Sequence, residues 1–226
     1  MKKRYIVLII AMGCVGLAWI LVRVTNALAV YTMSANSNFP TIMQGERIYA
    51  SSLLAPKRFD FIAFYTTTEQ FGRTVYAQRL CGLPGDTIEM KAGDLYINGK
   101  FADEGLTLAH FYKLPLTELP KVKELLPAEE QDNPMIAGDS LLVNLADEDL
   151  RKLQLHGSKV ISARSEKSEE IFSHYQKEMN ADYFGPVLVP KDKYFVLGDN
   201  RSAAQDSRYL GFIDKSDYVA TVLRNR

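Results

Sequence analysis

From Tyr5 to Val22 the chain runs for 18 residues without a charged side chain (YIVLIIAMGCVGLAWILV), directly behind the basic start Met1-Lys2-Lys3-Arg4. As a helix this run is about 27 Å long, close to the thickness of a bilayer's hydrocarbon core. A helix also satisfies each backbone polar group inside the segment, as lipid demands. Residues 5–22 are therefore expected to form one transmembrane anchor. Residues 1–4 would be a cytoplasmic tail, with everything after Val22 on the exported side. A cleavable leader is the main rival, since Ala27-Leu28-Ala29 has the small-x-small form of a processing site. The apolar region of a leader usually runs only about 7–15 residues, which favours the anchor. Cys14 as a lipid-modified cysteine is disfavoured by its place in mid-run without the expected leucine. A lipoprotein or processed secreted protein stays open as a further class.

The remaining chain, within 226 residues overall, is long enough for one large domain or two small ones. Lys plus Arg and Asp plus Glu are both 27, so no net charge argues for nucleic acid as a partner. The two cysteines, Cys14 in the apolar run and Cys81 in the body, would have to join membrane to exported domain to form a disulfide. Cys81 instead reads as a small buried side chain.

Strand-like segments follow the anchor and a juxtamembrane stretch at 23–36. They are expected at Arg47–Ser51, Phe59–Tyr65, Thr74–Leu80, Thr87–Met90 and Asp94–Ile97, the last leading into the hairpin signal Asn98-Gly99. Residues 103–183 read differently. Prolines at 115, 120, 127 and 134 interrupt them, with a strand over Leu141–Leu145 and helices over Asp147–Leu155 and Ser165–Met179. This block is taken as an inserted α/β lobe. Strands return at Val187–Val189, Tyr194–Leu197 and Tyr218–Leu223. The fold class expected is mainly β, its core made of 23–102 and 184–226.

Three segments could carry chemistry: Ser37-Asn38-Phe39-Pro40-Thr41, Arg79 through Asp86 (RLCGLPGD), and Gly198-Asp199-Asn200-Arg201 followed by Asp206-Ser207-Arg208. Taken singly, each is as well explained as a turn, because Gly, Pro, Asn and Asp fill turns for backbone reasons. Taken together and in this order behind an N-terminal anchor, they resemble the type I signal peptidases, the S26-type serine proteases. Ser37–Thr41 is similar to that family's Ser-Met-x-Pro-Thr box. Arg58–Phe64 is similar to its Arg-Gly-Asp-Ile-Val-x-Phe strand, and Gln78 through Asp86 to its Lys-Arg-x-x-Gly-x-Pro-Gly-Asp box. Tyr194–Arg201 with Asp206-Ser207-Arg208 and Gly211-Phe212 resembles its last box. The likeness spans roughly 1–100 and 184–226 and leaves the lobe unmatched.

The resemblance implies a signal-peptidase-type β domain and a membrane-bound serine endopeptidase without cofactor or metal. Its partners would be preprotein signal peptides and the lipid bilayer, at a bacterial-type inner membrane crossed once with the N-terminus inside. It implies Ser37 as the nucleophile, its N–H helping to hold the oxyanion, with substrate contacts from Asn38, Phe39 and Pro40. A serine hydroxyl needs a base to take its proton, and the family uses a lysine kept neutral by burial. Here Gln78 stands at the lysine position, and an amide is not basic. Ala204 stands where the family carries a serine that orients the lysine, and Asn38 replaces the box methionine. Three readings follow. In the first, another base serves, from among His110, His156, His174, Lys91 and Lys100, although an ordinary surface or core place is the default for each. A deliberate replacement that traps substrate is opposed by the second change at Ala204. A catalytically silent relative would bind signal peptides or a partner signal peptidase. Arg79, Asp199, Asn200, Arg201, Asp206 and Arg208 are expected to fix the loop structurally, the charged ones by pairing with one another.

Overall fold

The computed structural model describes residues 2–68, 72–126 and 128–223, without the side chains at 2, 18, 21–23, 128 and 129. The first element is a helix over Lys2–Val24. Its described apolar side chains, among them Ile6, Leu8, Ile10, Val15 and Trp19, are exposed. Among the described residues no helix is long and apolar enough to cross a membrane. The anchor expected at 5–22 includes side chains at 18, 21 and 22 that lie outside them.

Among the described residues fifteen strands follow, and their ladders with one another are antiparallel. Chain order gives β1 (Ala29–Thr32), β2 (Arg47–Ser51), β3 (Phe61–Thr68), β4 (Gly72–Gly82), β5 (Thr87–Lys91), β6 (Asp94–Ile97) and β7 (Lys100–Phe101). Then come β8 (Ala109–Pro115), β9 (Ile136–Ala137), β10 (Ser140–Ala146), β11 (Ser158–Lys159) and β12 (Tyr183–Leu188). The last are β13 (Lys193–Leu197), β14 (Ile213–Asp214) and β15 (Tyr218–Val222). A seven-stranded sheet runs β1-β2-β15-β3-β4-β13-β14, and a four-stranded sheet runs β12-β5-β6-β7. The block after residue 103 has its own sheet, β11-β8-β10-β9.

The sheets bury four apolar clusters among the described residues, one of them shared between two sheets. Ile42, Ile48, Phe61, Ala63 and Val219 fill one face of the large sheet, and Ile62, Phe64, Leu80 and Val196 the other. This double-sided burial explains why FDFIAFY reads as a nearly continuous apolar run. Leu114, Val122, Leu141 and Val143 close the inserted sheet. Ile171 and Met179 pack with Ile88, Phe184 and Phe195, so the helix Glu169–Tyr175 lies against the β5–β7 sheet.

Several boundaries differ from expectation for local reasons. Phe59 holds φ +69, a conformation a bulky side chain rarely adopts, so β3 begins only at Phe61. Asn98 and Gly99 both take positive φ, as the two-residue hairpin turn requires. The stretch at 23–36 is not merely a tether, because β1 pairs with β2 from Ala29–Ala50 to Thr32–Arg47. The helix expected over Ser165–Met179 covers only Glu169–Tyr175. Ser168 rather than Ser165 caps it, accepting from the Ile171 N–H at 3.3 Å, and Gln176 ends it at φ +53.

Candidate active site

Ser37 lies beyond β1 on a half-buried turn. The Phe39 N–H donates to the Asn36 carbonyl at 3.2 Å and the Ile42 N–H to the Asn38 carbonyl at 2.9 Å. The Phe39–Pro40 peptide between them is cis. The loop after β13 closes over this turn, and the Asn200 N–H donates to the Ser37 carbonyl at 3.1 Å. Approach is so close at Gly198 that a Cβ there would collide with the Ser37 carbonyl oxygen and the Ala204 methyl. Glycine is required at that position by space.

Three short pieces meet around the serine. Asn38 is buried, and its Nδ2 donates to the Ala77 carbonyl at 2.6 Å. Gln78, next on β4, is buried too, and its Nε2 donates to the Gln205 carbonyl at 2.8 Å. Ala204 precedes Gln205 and packs at Gly198 beside the Ser37 carbonyl. Ser37, Asn38, Gln78 and Ala204 are thereby gathered into one ring, with Phe39 and Pro40 half-buried on its rim. Asn38 Oδ1 and Gln78 Oε1 have no protein partner. Both are acceptors, able to receive a hydrogen bond but not to hold a proton near neutral pH.

The other side of the site is a set of buried ion pairs. Arg79 forks onto Asp199, Nε to Oδ1 at 2.7 Å and Nη2 to Oδ2 at 2.5 Å, while Nη1 donates to the Phe59 carbonyl at 2.8 Å. Its guanidinium lies 4.3 Å from the centre of the Phe61 ring. The Thr41 hydroxyl also donates to Asp199. Arg201 forks onto Asp103 at 2.6 and 3.0 Å, and Arg208 onto Asp206 at 2.8 and 2.9 Å. Burial alone would lower the pKa of Arg201 and Arg208. The facing carboxylates of Asp103 and Asp206 outweigh it and push both upward. Arg208 ties back to the Arg201 carbonyl at 2.7 Å, and the Gly198 N–H donates to Asp206 at 3.2 Å. These pairs hold the loop that carries Asn200.

The other basic candidates have partners or surroundings of their own, and His156 is exposed. His110 Nδ1 lies 2.7 Å from Asp147 Oδ1, which also accepts from the Tyr112 hydroxyl at 2.8 Å. Burial would raise the Asp147 pKa, but these hydrogen bonds hold it below the usual carboxylate range. A His–Asp pair of this kind can activate a serine. Here it lines a cavity of about 430 Å³ with Asp103, Glu104 and Arg151, and Ser37 is not part of that lining. His174 packs beside Gly211. Lys91 pairs with Glu89 at 3.0 Å on the surface, and Lys100 is exposed. Burial pushes the Cys81 thiol up to about 12, which leaves it inert. Asp103 and Asn144 were not singled out by the sequence. Their partners lie 98 and 56 positions away, respectively, and no local pattern marks such a contact.

Comparison with known proteins agrees with the motifs. Residues 3–224 match the family described as "Signal peptidase, peptidase S26". Signal peptidase I P of Bacillus subtilis subsp. natto is 31% identical over 84% of this chain and 71% of its own length. Signal peptidase IB of Staphylococcus aureus (strain Mu50) is 25% identical over 98% of this chain and 89% of its own. A solved signal peptidase I from Enterococcus faecalis V583 aligns at 26% identity and a TM-score of 0.36, covering 76% of this chain and 98% of that one.

Proposed function

Because the chain belongs to the signal peptidase family, peptidase S26, we propose that it is a serine endopeptidase that removes signal peptides from exported preproteins, with Ser37 as nucleophile. The observation that carries this reading is the setting of Ser37, whose carbonyl is pinned by Asn200 between Gly198 and the Gln78–Ala204 corner. In the reaction the Ser37 oxygen attacks the carbonyl carbon of the scissile peptide, and the carbon–nitrogen bond breaks as the nitrogen takes up a proton and departs as the free amine of the mature protein. Water then releases the acyl group from the serine. A free backbone N–H at Ser37 would face the oxyanion.

Gln78 does not serve as the base. Its Nε2 is committed to the Gln205 carbonyl, and its Oε1 can orient a hydroxyl without deprotonating it. The reading therefore carries slow turnover, with the serine proton leaving to solvent or to a base other than residue 78. A partner peptidase has no support in the relatives.

Membrane attachment through the N-terminal helix belongs to the same proposal. Its support is the uncharged run at 5–22, the exposure of Ile6, Leu8, Ile10, Val15 and Trp19, and the basic start. The adjoining edge of the large sheet adds exposed Leu28, Val30, Tyr49 and Leu53. The bulk of the chain would then lie on the exported side, at the surface where signal peptides leave the bilayer.

The deciding experiment is cleavage of a preprotein by the detergent-solubilised chain beside Ser37→Ala. Cleavage lost in the variant supports the reading. Equal cleavage by both removes Ser37 as nucleophile, and no cleavage by either would leave a relative that binds signal peptides without processing them.

A further inference from the structure

We infer that Asn144 of the inserted sheet is a positioning residue for the nucleophile, so that the lobe sets the geometry of a site to which it contributes no reacting group. The inference rests on the reading of Ser37 as nucleophile. Asn144 sits on β10 and is separated from Asn200 by 56 positions. Their carboxamides close into a pair: Asn144 Nδ2 donates to Asn200 Oδ1, and Asn200 Nδ2 donates to Asn144 Oδ1, each at 2.9 Å. The other Nδ2 proton of Asn200 goes to the Asn36 carbonyl at 3.1 Å. Its backbone N–H goes to the Ser37 carbonyl, also at 3.1 Å.

One residue thus holds the two consecutive carbonyls that bracket the Ser37 backbone. Its side chain can reach Asn36 in only one amide orientation. Turned over, it would set Oδ1 against the Asn36 oxygen, acceptor facing acceptor. Asn200 is buried, so without Asn144 its Oδ1 and one Nδ2 proton would be stranded, and the side chain would turn to find other partners.

The lobe also grips the same segment by a second route. The Ala109 N–H on β8 donates to the Asp199 carbonyl, and the Arg201 N–H donates to the Ala109 carbonyl, both at 2.9 Å. That backbone clamp does not depend on Asn144. Removing the carboxamide should therefore leave the lobe docked and loosen only the contact to Asn36 and Ser37. This separates a positioning role from a merely structural one.

The test compares the full chain in detergent with Asn144→Ala and Asn144→Leu, reading preprotein kcat and KM together with amide hydrogen exchange at Asn200 and in β3 and β4. Lys152→Ala, which breaks the exposed Lys152–Glu148 bridge in the same lobe, is the control. The expected result is a kcat about tenfold lower with KM within about twofold, and faster exchange at Asn200 alone. Unchanged kcat and unchanged Asn200 exchange would overturn the inference. So would a loss that spreads equally to β3 and β4, since that marks general destabilisation. If the unaltered chain shows no Ser37-dependent cleavage, the functional reading fails by itself. Exchange at Asn200 then decides whether Asn144 holds the Ser37 backbone.

Discussion

The two sides of the Ser37 site are built on opposite terms. On one side Arg79–Asp199, Arg201–Asp103 and Arg208–Asp206 are forked pairs whose charges are buried and satisfied. On the other, Asn38 and Gln78 are buried amides, each with one oxygen left without a protein partner. By the resemblance read from the sequence, the ion-pair side keeps the family's motif residues except at Asp103, which lies in the unmatched lobe, and the amide side would hold the departures at 38, 78 and 204. The fold depends on the ion pairs more than on the amides. Removing one member of a buried pair strands a charge. The amide of Gln78 strands only a neutral acceptor, so this corner can change while the frame stays intact.

The largest effect should come from converting the amide corner back. Gln78→Lys with Ala204→Ser is expected to raise Ser37-dependent cleavage by about a thousandfold or more, measured as kcat on a preprotein. Loss of one member of a serine–base unit costs more than this in another serine protease. The single change Gln78→Lys should gain much less, because the ammonium would lie beside the Ala204 methyl with no hydroxyl to orient it. Equal rates for the double variant and the unaltered chain would break the comparison, since the base would then lie elsewhere.

Next comes the frame. Asp206→Ala leaves the Arg208 guanidinium buried without its carboxylate and removes the acceptor of the Gly198 N–H. A loss of about 3–5 kcal/mol is expected from the midpoint and slope of denaturant unfolding. A loss below about 1 kcal/mol would mean that the loop relaxes and that the pairs are not what separates the two sides.

The sequence made the frame visible and hid much of its purpose. Asp94–Ile97 with Asn98-Gly99 was legible because alternation and a two-residue turn are local signals. β1 was not, because four residues beside an apolar helix show no period of their own. The helix over Glu169–Tyr175 was overextended because Ser165 and Ser168 are both plausible caps, and only tertiary packing of Ile171 chooses between them. At the site, Ser37, Gln78 and Ala204 could be placed only through the order of the boxes. That Asp103 holds Arg201, and that Asn144 holds Asn200, follows from chain crossings that sequence proximity does not record.

A smaller effect tests the frame at its solvent edge. Asp86 accepts from Arg58, from the Leu83 N–H at 2.7 Å and from Asn98 at 2.8 Å. Burial would raise its pKa, but these partners hold it below the ordinary value of 3.8. A lowered carboxylate contributes stability above its unfolded pKa and loses it as pH falls through the folded one. Asp86→Asn should therefore cost about 1–2 kcal/mol at pH 7. The gap to the unaltered chain should shrink once the pH drops below about 4, as followed by unfolding at several pH values. A gap that stays constant down to pH 2 would show that the carboxylate charge is not what stabilises the turn.

The smallest expected effect is the most telling about the amide corner. Gln78→Leu removes one hydrogen bond, from Nε2 to the Gln205 carbonyl, and at the same time removes the stranded Oε1. Losing the bond costs about 1 kcal/mol, and relieving a buried acceptor with no partner returns a similar amount. Leucine also fills nearly the same space on the face of β4 whose Leu80 packs with Val196 of β13. The net change in unfolding free energy should stay within about 1 kcal/mol, against the several expected for Asp206→Ala. Ser37-dependent cleavage should be unchanged if Gln78 takes no part in proton transfer. A large loss of cleavage with stability preserved would instead assign Oε1 a role in orienting the Ser37 hydroxyl.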